Sequence, residues 1–179
     1  REGAGERGGR AFVRIGVVGA VSMFQSDPYE PLCFRLGEAQ SPGESAVFRE
    51  LRFELSSLGD RVPGRLLLPE HRQGPFPLIV AQHGAGGAKD AEYMDTACLP
   101  WVRGGAAVAS IDFPLHGERA SAKLSERVLG LFETRSGLAP FEAELWISFV
   151  RQAVIDLRRT LDALTDLDEL DARRVGYAG

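Results

Sequence analysis

FPLIVAQHGAGG (76–87) decides how this chain reads. LIVAQ (78–82) is an apolar run bounded by Pro77 and Gly84. A run without polar alternation suits a strand buried on both faces, as in a parallel sheet flanked by helices. It leads into a His-Gly loop whose small residues let another molecule approach the backbone. AAVASIDF (106–113) is a second strand of this kind, and RRVGYAG (173–179) is a short third one ending in glycine. Helical stretches separate the three, which is the α/β pattern.

Upstream, ELRFELSS (50–57) alternates Leu51, Phe53 and Leu55 with Arg52, Glu54 and Ser56, the period of a half-buried strand. Gly59-Asp60 supplies a turn, and RVPGRLLLP (61–69) returns as a second strand, Pro63 and Gly64 suggesting an irregular start or bulge. DAEYMDTACLPWVRGG (90–105) is a helix candidate: Asp90 is placed to cap it, Gly104-Gly105 to close it, and Pro100 predicts a kink or early break. Residues 116–137 read as an excursion with a short helix near 122–133. Pro140 opens the longest helix, with Phe141, Leu145, Phe149, Ala153, Leu157 and Leu161 as its apolar stripe. TDLDELDA (165–172) is the acidic connection to the last strand.

The 179 residues suggest one domain, divided into an extension and irregular lead-in (1–49) and an α/β unit (50–179). A hydrophobic share of 44% with 26% charged residues excludes global disorder, and a net charge of −4 argues against nucleic acid as partner. No run of 18 or more apolar residues is present, so no membrane span is expected and the expected location is cytoplasmic. Residues 1–22 read as a flexible extension or as sequence upstream of a natural start at Met23, ahead of a signal or anchor. Cys33 and Cys98 match no metal spacing and read as reduced, partly buried thiols.

The hairpin, the strand ending His83-Gly84, the strand ending Asp112 with His116-Gly117 beyond it, and the long helix leading to GYAG (176–179) together resemble the α/β-hydrolase superfamily. The likeness is to its dienelactone-hydrolase-like and acyl-esterase branch, over about residues 50–179. It implies a three-layer α/β sheet, an antiparallel first hairpin followed by parallel strands, incomplete in this chain. In that fold the residues after Gly179 would complete G-x-S-x-G, the turn that carries the nucleophile. No G-x-S-x-G occurs in the 179 residues, so nucleophile, acid and base are all expected beyond Gly179. The resemblance implies a serine hydrolase of a small-molecule carboxylic ester, needing no cofactor and no metal. Alternatives are a prolyl-oligopeptidase-like peptidase and a non-catalytic binding protein of the same fold.

By the same resemblance the N–H of Ala85, or of Gly86, would donate to the oxyanion formed during acyl transfer. His83, Gly84, Asp112 and His116 are expected to support the site loops. In the family the catalytic histidine follows the acid late in the chain, a position that neither His83 nor His116 matches. Asp112 does not match the triad acid, and its expected role is to hold the loop 113–119. Glu118 and Arg119 are expected to be solvated. His71 has no partner pattern.

Overall fold

A computed structural model describes residues 23–43, 46–133 and 137–179. The reading of residues 1–22 lies outside them. The strands are β1 (Arg35–Leu36), β2 (Phe48–Ser57), β3 (Asp60–Pro69), β4 (Phe76–Ala81), β5 (Ala107–Ile111) and β6 (Leu170–Ala178). The helices are α1 (Glu92–Gly104), α2 (Leu124–Glu133) and α3 (Pro140–Thr165), with a 3-10 turn at Gly117–Arg119. The strands form one sheet in the order β1-β2-β3-β5-β4-β6. β1, β2, β3 and β5 pair antiparallel in turn, whereas β4 runs parallel to both β5 and β6. The three apolar runs are thus the three parallel strands, and β5, central in the sheet, is buried at every residue.

Two hydrophobic layers sandwich the sheet. On one face Met94, Cys98 and Val102 of α1 pack on Leu67, Ala81 and Val108. On the other, Phe149, Ala153, Ala163 and Leu164 of α3 pack with Leu55, Val62, Leu66 and Leu78. This is the three-layer arrangement, and β6 forms the sheet edge, with Val175 and Tyr177 exposed. Among the described residues no helix is long and apolar enough to cross a membrane.

Several local expectations are corrected. The hairpin turns at Leu58-Gly59, one residue early, with φ of 50° and 75°. Its ladder runs through Pro63–Glu54 and Gly64–Phe53 without a bulge; the missing Cβ of Gly64 leaves room that the Phe53 ring fills. α1 continues through Pro100 unbroken, and its N-cap is Ala91, because the Asp90 carboxylate is drawn to Arg52 (2.8 Å) instead. The lead-in is not wholly irregular, since β1 adds an edge to β2. β6 begins at Leu170, inside the acidic connection. Cys33 is exposed and Cys98 buried.

The stripe on α3 packs as expected from Leu145 to Leu161, with Phe149 and Ala153 in the core and Leu145, Leu157 and Leu161 against it, but it starts later and is broader than the apolar residues alone suggest. Phe141 is exposed, while Asp156, Arg159 and Thr160 are buried. These polar positions tie the helix to the hairpin and the lead-in. Arg159 donates to the carbonyls of Ser56, Glu30 and Pro31 at 2.9–3.0 Å. Buried polar groups of this kind are tolerated because each finds a partner.

Candidate functional site

The C-terminal ends of β4 and β5 place HGAGG and the 112–119 loop side by side, the edge of an open α/β sheet where ligands bind. The Gly87 N–H donates to the Gly84 carbonyl at 3.0 Å, closing a four-residue turn with Ala85 and Gly86 at its tip. Gly86 has φ of 75°, the left-handed value that the third position of a type II turn requires. Ala85 and Gly86 are exposed, and among the described residues neither backbone N–H meets an acceptor. The Gly84 N–H, in contrast, donates to the Tyr93 hydroxyl at 2.9 Å.

His83 is buried, and its tautomer follows from its partners. The Phe113 N–H donates to its Nε2 at 3.1 Å, so Nδ1 carries the proton and donates to the Gly84 carbonyl at 2.9 Å. Burial holds His83 below the ordinary histidine range, opposed by the Gly84 bond and reinforced by nearby His116. With both nitrogens engaged, a neutral His83 braces the loop and has no nitrogen free for proton transfer. His116 is also buried. Its Nδ1 donates to the Pro114 carbonyl at 2.8 Å, and its ring lies 5.2 Å from that of His83.

Asp112 is fully buried and its carboxylate is saturated by neighbours. Oδ1 accepts from the Lys89 N–H (2.8 Å), and Oδ2 accepts from Lys89 Nζ (2.8 Å) and the Glu118 N–H (3.0 Å). It therefore joins the HGAGG loop to the 112–119 loop. Gly117 has φ of 52°, and a Cβ there would lie 2.2 Å from Asp112 Oδ1, so the carboxylate and the glycine require each other. Burial alone would lower the Lys89 pKa, but its bonds to Asp112 and Glu118 outweigh this and raise it. Glu118 also pairs with Arg61 at 3.1 Å. Arg119 is not solvated: its guanidinium bridges buried Asp156 (2.7 Å) and Asp60 (2.6 Å).

Lys89, Tyr93 and Arg119 were not singled out as site supports from the sequence. A signal for Lys89 was available, since a carboxylate ending a buried strand needs a cation, and Lys89 follows the glycine turn. Tyr93 carried none. His83, His116 and Asp112 do come together, but Asp112 is committed to Lys89, and among the described residues no group of His, Cys, Asp and Glu side chains converges as a metal site.

A cavity of about 260 Å³ opens against this loop, lined by His83, Ala85, Phe113, His116, Phe149 and Tyr177 among others. Gly179 lies on the same wall, because the Gln82 N–H donates to the Ala178 carbonyl at 2.8 Å. A larger cavity of about 350 Å³ lies over the hairpin. Its charges are mostly spent on one another, as in Arg61 with Glu54 and Lys89 with Glu118, so the smaller cavity is the candidate site.

Solved structures similar to this one include several esterases. An acetyl xylan esterase from Paenibacillus sp. R4 superposes with a TM-score of 0.62 at 20% identity, over 90% of this chain and 49% of that one. Acetyl xylan esterase 1 from Thermoanaerobacterium sp. JW/SL YS485 gives 0.60 at 14% identity, over 88% and 47%. A cold-adapted esterase from an Arctic intertidal metagenomic library gives 0.54 at 22% identity, over 79% and 53%. The chain thus spans about half the length of these relatives, and the likeness establishes the α/β-hydrolase fold. No curated protein matches in sequence. The sequence profile of a family described as acetyl xylan esterase (AXE1) matches residues 32–179, from the lead-in through the final strand. The chain therefore belongs to the acetyl xylan esterase (AXE1) family.

Proposed function

We propose that the full-length protein hydrolyses a carboxylic ester, an acetyl ester on a carbohydrate being the substrate class that the family supports best. The observation that carries this reading is the turn at 84–87. Its two uncommitted N–H groups, at Ala85 and Gly86, stand beside a small, largely aromatic cavity at the C-terminal edge of the sheet. In acyl transfer a serine Oγ bonds to the ester carbonyl carbon while a histidine takes the serine proton. The carbonyl oxygen becomes an oxyanion that needs preorganised donors. Ala85 or Gly86 supplies one donor, and the residue after the nucleophile supplies the other. By the family resemblance, serine, histidine and acid would belong to sequence following Gly179, the similar esterases being about twice this length. The peptidase and binding-protein alternatives draw no support from the family.

The test uses the full-length protein with p-nitrophenyl acetate, acetylated xylan and a fluorophosphonate probe. Turnover, with stoichiometric labelling of a serine two positions after Gly179, is the expected result. A protein that neither labels nor turns over any acetyl ester is not an esterase.

A further inference from the structure

The turn that presents Ala85 and Gly86 is gripped at both ends. At its far end, Asp112 holds the Lys89 N–H and ammonium. At its near end, His83 holds the Gly84 carbonyl from inside the protein, and Tyr93 of α1 holds the Gly84 N–H from outside. The Tyr93 oxygen also sits over Gly87, where a Cβ would approach it to 2.3 Å. Tyr93 therefore touches both ends of the four-residue turn while lying outside the candidate cavity, whose lining does not include it. Its side chain is half exposed, so core packing does not account for its placement.

We infer that Tyr93 is a positioning residue for the oxyanion turn: its hydroxyl fixes the Gly84 peptide and thereby aims the Ala85 and Gly86 N–H groups. The inference rests on the esterase reading and adds to it a residue on a different element. A free Gly84 N–H would let the 83–84 peptide rotate and would leave the 84–85 peptide, which carries the Ala85 N–H, held by its carbonyl alone through His83 and Gly87. Donors of this kind act only when correctly placed at the moment charge develops, so a small misplacement is felt in the transition state and hardly in ground-state binding.

The experiment compares the full-length enzyme with Tyr93→Phe, which removes the hydroxyl alone. The expected result is a fall in kcat of roughly tenfold or more with KM nearly unchanged, the pattern of an interaction made in the transition state. Affinity for a boronic acid that mimics the tetrahedral intermediate should fall by a similar factor. A Tyr93→Phe enzyme with unchanged kcat and boronate affinity overturns the inference, as does a loss confined to KM. An unmodified enzyme that hydrolyses no acetyl ester instead defeats the esterase reading, so the two failures are told apart.

Discussion

At the scale of single residues, the proposed esterase reading turns on the Ala85 N–H, and a backbone donor can be deleted only by proline. The turn makes that test fair. Ala85 occupies the position before Gly86, whose φ is 75°, and the second position of a type II turn favours proline. Ala85→Pro should therefore keep the turn and remove one donor. Loss of one oxyanion donor costs on the order of 3 kcal/mol of transition-state stabilisation, so kcat of the full-length enzyme should fall roughly 100-fold or more with the circular dichroism spectrum unchanged. Normal turnover in a folded variant would move the role to Gly86. What the sequence made legible is a small-residue turn ending a buried apolar run; the donor role proposed for Ala85 came from the family resemblance. Tyr93 was not legible, because its role depends on α1 bringing it back over a turn six residues upstream of its own, a distance that sequence spacing does not encode.

At the scale of elements, the apolar runs that became β4 and β5 were readable because continuous burial leaves a continuous apolar signature. The errors fell where a polar group had two competing partners. Asp90 was expected at the N-cap of α1 but is claimed by Arg52, and Arg119 was expected in solvent but pairs with buried Asp156. The Lys89–Asp112 pair joins the loops after β4 and β5, with both side chains at most 2% exposed. Removing one member of such a pair strands the other charge. Lys89→Met should destabilise the protein by about 3–5 kcal/mol, seen as a lower urea midpoint, and adding Asp112→Asn should recover part of that loss. If Lys89→Met unfolds at the native midpoint, the pair does not hold these loops together.

At the scale of the whole molecule, the layered sheet could be read from the order of its strands, whereas the sheet order β3-β5-β4-β6 could not, because crossovers leave no local trace. The family resemblance carried only the expectation of an antiparallel hairpin followed by parallel strands, and no strand order. The same sheet order places β6 at an edge, and β6 is unusual for a parallel strand in an α/β sheet. Its pairing with β4 covers Phe76–Ala81, yet most of its residues are exposed, Val175 at 42% and Tyr177 at 62% among them. Parallel strands are normally buried on both faces, and an unpaired edge of this kind invites pairing with another chain. Phe132, Phe141 and Ile147 on α2 and α3 add exposed apolar area. Residues 1–179 produced alone should therefore self-associate, eluting from a sizing column above the 19.4 kDa monomer and melting over a broad range. Pairing through β6 predicts a remedy: Val175→Lys, which puts a charge on the exposed edge, should shift elution toward the monomer, as charged edges do in natural sheets. A sharp thermal transition from a monomer of the unaltered 1–179 chain would mean that β4 pairing and the two helix layers suffice, and that the β6 edge needs no cover.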